Sequence, residues 1–164
     1  LHTFGVAGCS FRGAGLPAPF TRWRDLRSLR HIDVTEMLRD AGLRPTRQRS
    51  ALAGLLFTGE DHHVTAEDLH ERAVRANVPV SLATVYNTLH QFTRAGLLRE
   101  VAVDGTKSYF DTDTSDHHHF YVEEDNELMD IEGGQIAVSG VPAAPEGMEV
   151  TFVDVVVRLR RSAR

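Results

Sequence analysis

Three consecutive histidines, His117-His118-His119, stand among Asp111, Asp113, Asp116 and the acidic run Glu123-Glu124-Asp125. Imidazole nitrogens and carboxylate oxygens are ligands for divalent cations, and this is the densest ligand set in the chain. On a strand His117 and His119 point to one face and His118 to the other. Two imidazoles on one face with a carboxylate complete three sides of a tetrahedral site, with Zn–N bonds of about 2.0–2.1 Å. Nitrogen and oxygen donors without a thiolate discriminate weakly, so Zn²⁺, Mn²⁺ and Fe²⁺ are all admissible. Heme is a third candidate, through axial ligation by His117, His118 or His119. A sparser pair, His62-His63, precedes a helix start, where histidines serve structure as readily as ligation. A hydrolytic metal centre is the enzymatic alternative. It needs a general base, for which Glu123 or Glu124 can be nominated, but no substrate-pocket motif accompanies them.

The elements that must carry these residues are legible from caps and periodicity. Asp33-Val34-Thr35-Glu36 has capping-box spacing and opens a short helix that stops at Gly42. Thr46 caps a second helix with Leu52, Leu55 and Leu56 at helical spacing up to Thr58-Gly59. Thr65-Ala66-Glu67-Asp68 opens a third, with Leu69 and Val74 expected inward. Ser81 caps a fourth, whose Leu82, Val85, Leu89 and Phe92 form one apolar stripe ending at Gly96. Leu97 to Val103, then Asp104-Gly105, then Thr106 to Phe110 read as a β-hairpin. Helices followed by a hairpin make the winged-helix plan, with residues 66–76 and 82–95 as its two reader helices. Residues 111–116 read as a polar hinge. Beyond it, 120–122 and 128–131 are short strand candidates, 133–147 is poorly patterned, and 149–160 alternates Val153, Val155, Val157 and Leu159 as a half-buried strand.

The expected fold class is therefore mixed α/β (α+β), with a winged-helix DNA-binding domain over 32–111. A small C-terminal α/β domain over 112–164 would serve dimerisation and ligand sensing, since it is too small to bury much core alone. Residues 1–31 are expected to be a disordered arm or the product of a start placed too far upstream. They hold five arginines without a compact apolar core, which makes a poor secretory signal.

Net charge is −5 over 164 residues, which at first argues against a nucleic-acid partner. The charge is uneven: up to Lys107 there are 14 Lys+Arg against 11 Asp+Glu, and beyond it 4 against 12. A basic front and an acidic back suit DNA binding by the first and metal chemistry or dimerisation by the second. The lone cysteine, Cys9, excludes an intramolecular disulfide and a Cys-rich zinc site, and favours a reducing, cytoplasmic setting. No apolar run approaches the ~18 residues of a membrane span, so no membrane partner is expected. Candidate DNA contacts are Ser81, Thr84 and Asn87 on the polar face of the fourth helix, with Tyr86 against a thymine methyl. Arg44, Thr46, Arg47 and Arg49 surround the second helix start, and Lys107 sits on the wing. A winged helix used only for protein contacts is the competing use of the same plan.

Ala41-Gly42-Leu43-Arg44-Pro45-Thr46-Arg47-Gln48-Arg49, His63-Val64-Thr65-Ala66-Glu67-Asp68-Leu69 and Ser81-Leu82-Ala83-Thr84-Val85-Tyr86-Asn87-Thr88-Leu89 resemble the ferric uptake regulator family. The resemblance continues through Asp104 to Asp111 and His117 to His119, covering roughly 32–160. The uninterrupted histidine triplet and the closing Val155-Val156-Val157-Arg158-Leu159-Arg160 look most like its iron-response-regulator (Irr) branch in alphaproteobacteria. The resemblance implies a metal site of His63, Asp111, His117 and His119 between a DNA-binding and a dimerisation domain. It gives Arg44 to an A·T-rich minor groove, Tyr86 to thymine, and His117 to His119 to heme. The implied protein is a homodimer on A·T-rich inverted-repeat operators, active when iron is scarce, inactivated by heme, with a heme-delivering protein as a further partner. The other branch of the family implies an Mn²⁺- or Fe²⁺-dependent corepressor. The family's Cys-x-x-Cys falls here at Val122 and Asp125, which excludes a structural Cys₄ zinc. Val153 and Arg160 stand near positions of a second site that are histidine elsewhere, and Cys9 precedes Ser10 rather than the proline of an N-terminal heme motif.

Overall fold

The computed structural model of the chain describes residues 33–58, 62–104, 107–132 and 134–162. The expected N-terminal arm with Cys9, and the Gly105 turn of the hairpin, lie outside these.

Four helices begin where an oxygen-bearing side chain takes up a free backbone N–H. In α1 (Val34–Asp40) the Asp33 carboxylate accepts from Thr35 and Glu36. Thr46 caps α2 (Arg47–Leu56), and Ser81 caps α4 (Leu82–Arg94). For α3 (Ala66–Arg75) the box is reciprocal, Thr65 bonding the Asp68 N–H and Asp68 bonding the Thr65 N–H. Such caps contribute about 1 kcal/mol each. Helices α1 and α4 end at Gly42 and Gly96, whose positive φ values of 73° and 71° let the next N–H reach back to Leu38 and Phe92.

The stripe Val85, Leu89 and Phe92 is fully buried with Leu52, Leu56 and Leu69 in one core. Val74 is not part of it. It is 58% exposed, and Ala66, Leu69 and Ala73 make the inner face of α3 instead. Positions 66, 69 and 73 recur at i, i+3 and i+7, whereas Val74 is rotated away from Leu69 by more than a third of a turn.

The first sheet has the order β1 (His63–Val64), β3 (Lys107–Asp111), β2 (Arg99–Asp104), all antiparallel. Strand β1 is too short to leave a sequence signal, yet it sets His63 opposite Asp111. The second sheet has the order β5 (Glu127–Ile131), β4 (His118–Val122), β6 (Val156–Leu159), with β4 and β6 parallel. The strand expected over 149–160 is confined to its last third. Pairing with β4 begins at Val156, and before it Phe152 and Asp154 are engaged with Arg99. Among the described residues of the C-terminal half there is no helix, so the wing hairpin supplies the layer that covers this sheet.

Val101, Val103 and Tyr109 of the wing form a second core with Tyr121, Leu128 and Val156. The Tyr109 hydroxyl donates to the Asn126 carbonyl at 2.8 Å, the Tyr121 hydroxyl donates to Asn126 Oδ1 at 3.0 Å, and the Arg158 guanidinium donates to the Val103 carbonyl. The expected polar hinge at 111–116 is accordingly a packed corner. Asp111 and Thr112 are buried, Thr112 and His62 bond each other's backbones and side chain, and Asp111 Oδ1 accepts from the Asp113 N–H.

Leu89→Ala should destabilise the protein by about 2–5 kcal/mol, because its side chain leaves a cavity in a closed core. Val74→Ala should lie within about 0.5 kcal/mol of the parent, as exposed sites do. Urea unfolding of both variants, followed by circular dichroism, measures the contrast. Equal losses would overturn this assignment of the α3 face.

Candidate metal centre and nucleic-acid face

Five donor atoms converge at the corner where the two sheets meet: His63 on β1, Asp111 ending β3, His117 just before β4, His119 on β4, and Asp130 on β5. All five lie within 4.8 Å of one another. Asp111 Oδ2 is 3.0 Å from His117 Nε2, 3.5 Å from His119 Nε2 and 3.8 Å from His63 Nε2. Asp130 Oδ1 is 2.9 Å from His63 Nε2, 3.1 Å from His117 Nε2 and 3.6 Å from His119 Nε2. Neighbouring ligands about 2.1 Å from one ion stand roughly 3.0 to 3.4 Å apart, and the separations here, 2.9 to 3.8 Å, lie within a few tenths of an ångström of that range.

The donor atoms are close but not bonded in a way that satisfies them. His63 Nε2 and Asp111 Oδ2 are buried and form no well-directed hydrogen bond, despite these short distances. His117 and His119 bring their Nε2 atoms to 3.1 Å of each other. With the His117 Nδ1–H donated to the Ser115 carbonyl at 3.0 Å, its Nε2 carries a lone pair. Lone pairs aimed at one point, rather than at each other, are what a divalent cation requires. Buried orphaned donors and an all-N/O set therefore fit a borderline or hard cation.

Burial holds the His63 pKa below its ordinary value of 6.5, against the pull of Asp111 and Asp130. For His119 burial works in the same direction, but the Asp111 and Asp154 carboxylates outweigh it and raise the pKa. Asp154 resists burial in turn, because His119 and Arg99 hold its carboxyl below the usual range.

Of the residues the sequence nominated, His63, Asp111, His117 and His119 come together. Asp130 was missed. It stands directly across the strand pair from His119, so only the β4–β5 register could have placed it. His118 does not join the others; it lines a shallow groove on the opposite side with Val138, Val141, Val150 and Phe152. Glu123 is poorly placed as a general base: its carboxylate is engaged by Arg160 at 2.6 Å and Arg158 at 3.5 Å, and Arg160 first lowers its pKa, which weakens it as a proton acceptor. Glu124 accepts the Arg161 N–H. The hydrolytic reading loses both its nominees.

On the reader, Tyr86 and Asn87 are exposed on α4, and Arg44, Thr46 and Arg47 are exposed at the start of α2. Ser81 and Thr84 bond each other in the α4 cap. Arg49 is turned inward, donating to Gln91 Oε1 at 2.8 Å and to the Arg44 carbonyl at 2.7 Å, so it braces the loop that presents Arg44. The Tyr86 hydroxyl donates to Glu67 Oε1 at 2.8 Å, an α3 partner not anticipated from the sequence. Lys107 donates to Asn126 Oδ1 at 3.0 Å and is tied to the C-terminal half. Among the described residues no helix is long and apolar enough to cross a membrane.

A family model described as the ferric uptake regulator family matches residues 40–157. The ferric uptake regulation protein of Escherichia coli K12 is 39% identical over 87 residues, which span 53% of this chain and 58% of that protein. The match thus spans less than two thirds of that relative's own length. A solved ferric uptake regulator from Pseudomonas aeruginosa with manganese is similar at a TM-score of 0.60 and 26% identity, over 80% of this chain and all of that one. A Vibrio cholerae ferric uptake regulator shares the fold at a TM-score of 0.61 and 23% identity, over 79% and 100%.

Metal binding must displace any proton on the ligand nitrogens. Burial lowers the His63 pKa while that of His119 is raised, so of the two His119 is the one whose proton a cation would have to displace over the wider pH range. Mn²⁺ or Co²⁺ affinity should climb as pH rises through 6.5 and level off only above the raised His119 value. Competition titrations between about pH 6 and 8 would show it. A flat profile would overturn the assignment of His119 as a ligand.

Proposed function

Because the chain belongs to the ferric uptake regulator family, we propose that it is a dimeric transcriptional regulator whose DNA affinity is set by a divalent cation at this corner. The observation that carries the reading is the convergence of His63, Asp111, His117, His119 and Asp130 between the reader and the second sheet. A bound cation would supply the positive charge that holds two carboxylates and three imidazoles about one point. These residues come from both halves of the chain, so their closure fixes how the reader sits on the C-terminal sheet. An arrangement favoured by ligation shifts the population able to dock on DNA.

The DNA-binding part of the reading rests on an exposed N-terminal turn of α4 for the major groove and on Arg44, braced by Arg49, for a minor groove or phosphates. Two such readers on one DNA face need half-sites about 34–36 Å apart or a multiple, which a homodimer on an inverted repeat supplies. In the cation-dependent version, the exposed apolar side chains Val138, Val141, Met148, Val150 and Phe152 support a covered surface between two copies. The proposed domains divide near Asp111, with the reader before it and dimerisation and sensing after it.

His118 supports the heme-responsive, Irr-like version of the same regulator. Its Nδ1 is buried without a hydrogen-bond partner, and it faces the valine- and phenylalanine-lined groove away from the other ligands. An axial imidazole beside apolar walls is what a planar iron macrocycle would use. In this version the protein acts when iron is scarce and heme inactivates it.

Chelator-treated protein titrated onto a labelled fragment of its own upstream DNA, followed by anisotropy, separates the versions. A gain of about 5–150-fold on adding Mn²⁺ is the range expected for coupled sites and supports the cation-dependent regulator. Tight metal-free binding that hemin reverses in the parent, but not in His118→Ala, supports the heme-responsive one. Arg44→Ala should weaken either complex and lower the slope of log affinity against log salt by about 1. No salt-dependent affinity in the parent protein would leave a winged helix used for protein contacts.

A further inference from the structure

Arg99 lies at the start of β2, on the reader side of the corner, and is not among the five converging ligands. Its side chain is almost buried and makes bonds in three directions. Nη1 donates to the Ser115 carbonyl at 3.1 Å, and Nη2 donates to the His117 carbonyl at 2.9 Å and to Asp154 Oδ1 at 2.9 Å. The guanidinium also lies over the Phe152 ring, 4.1 Å from its centroid.

Two of these acceptors are the outer partners of metal-facing histidines. The Ser115 carbonyl that Arg99 grips also accepts the His117 Nδ1–H. The Asp154 carboxylate lies 3.6 Å from His119 Nδ1, a buried nitrogen that has no other partner. That distance is slightly long for a hydrogen bond, so the contact is an ion-pair approach that a shift of a few tenths of an ångström would close. Ring orientation and tautomer of a ligating histidine are set by what its second nitrogen meets. A backbone carbonyl does this for His117 and a carboxylate does it for His119, and one arginine holds both. Arg99 suits the task because its planar fork serves several acceptors at fixed angles, which an ammonium cannot do.

We propose that Arg99 is a positioning residue for the metal centre, fixing His117 through the Ser115 carbonyl and His119 through Asp154 so that both Nε2 atoms face the other ligands. The proposal rests on the metal reading above, and Co²⁺ tests the two separately because its visible spectrum reports the ligand field. Full-length parent, Arg99→Lys and Asp154→Asn proteins would be compared by Co²⁺ titration, with competition for affinity and thermal melting of the metal-free form as the folding control. Arg99→Lys keeps the charge and loses the fork; Asp154→Asn keeps the shape and loses the charge. Loss of such outer partners costs about 10–100-fold in metal affinity, and that loss, with a changed Co²⁺ band, is expected for Arg99→Lys. Asp154→Asn, which of the two histidines touches only His119, should show the same change at the lower end of that range.

Folded variants with parental affinity and spectrum would overturn the positioning role while leaving the metal site standing. Should Arg99→Lys not fold, Asp154→Asn decides alone, and parental behaviour there overturns the proposal. A parent protein that gives no Co²⁺ band of nitrogen ligation would remove the metal reading itself, and this proposal with it.

Discussion

The rest of the structure depends on keeping three imidazoles and two carboxylates together at one partly dry corner. A buried polar group without a partner costs about 1–3 kcal/mol, and this corner leaves His63 Nε2, Asp111 Oδ2 and His119 Nδ1 without one. No single element could hold the five: two flank the reader sheet and three stand on or beside the first strands of the second. The corner therefore exists only while β1 and β3 meet β4 and β5. Because it draws on both sheets, a cation bound there, as proposed, would couple its occupancy to the arrangement of the two halves.

The wing is what keeps those sheets together. In a winged helix the hairpin can extend toward DNA, yet here one of its faces buries Val101, Val103 and Tyr109 against Tyr121, Leu128 and Val156. Lys107 follows the same face and reaches Asn126. A wing docked this way serves first as the floor of the C-terminal sheet, which has no helix among its described residues to cover it. The segment 111–116 then has no slack to act as a free linker, because the Thr112 and Asp113 N–H groups and the Ser115 carbonyl are all committed. Movement of the reader would have to break the wing–sheet contacts as a unit.

Much of this was legible in the sequence, and the divide is physical. Thr46, Thr65 and Ser81 announced helix starts because a cap is a local event, decided within three residues. The His117/His119 alternation was equally local. What could not be read were pairings between distant segments. Strand β1 is two residues long and exists only because β3 lies beside it. Asp130 becomes a neighbour of His119 only through the β4–β5 register. Asp154 and Arg99 are 55 positions apart, and nothing in either neighbourhood signals the other. Val74 failed for a different reason: an apolar residue at nearly the right spacing was given to the core, although small Ala66 and Ala73 complete the face.

An acidic chain must concentrate what positive charge it has if it is to meet DNA. The structure does so at the α2 entrance, where Arg49 spends its own donors on Gln91 and the Arg44 carbonyl, leaving Arg44 and Arg47 exposed. The cost of placing Glu67 beside the reader helix is limited by Tyr86, whose hydroxyl donates to it. That bond comes first among the causes that raise the Tyr86 pKa, so the phenol keeps its proton throughout the neutral range. It also fixes the direction of an exposed ring which would otherwise sample several rotamers. For the proposed DNA reader this matters more than the net charge of −5. Long-range repulsion from the C-terminal acids fades over a Debye length of about 8–10 Å, whereas ring placement at the groove acts at contact distance.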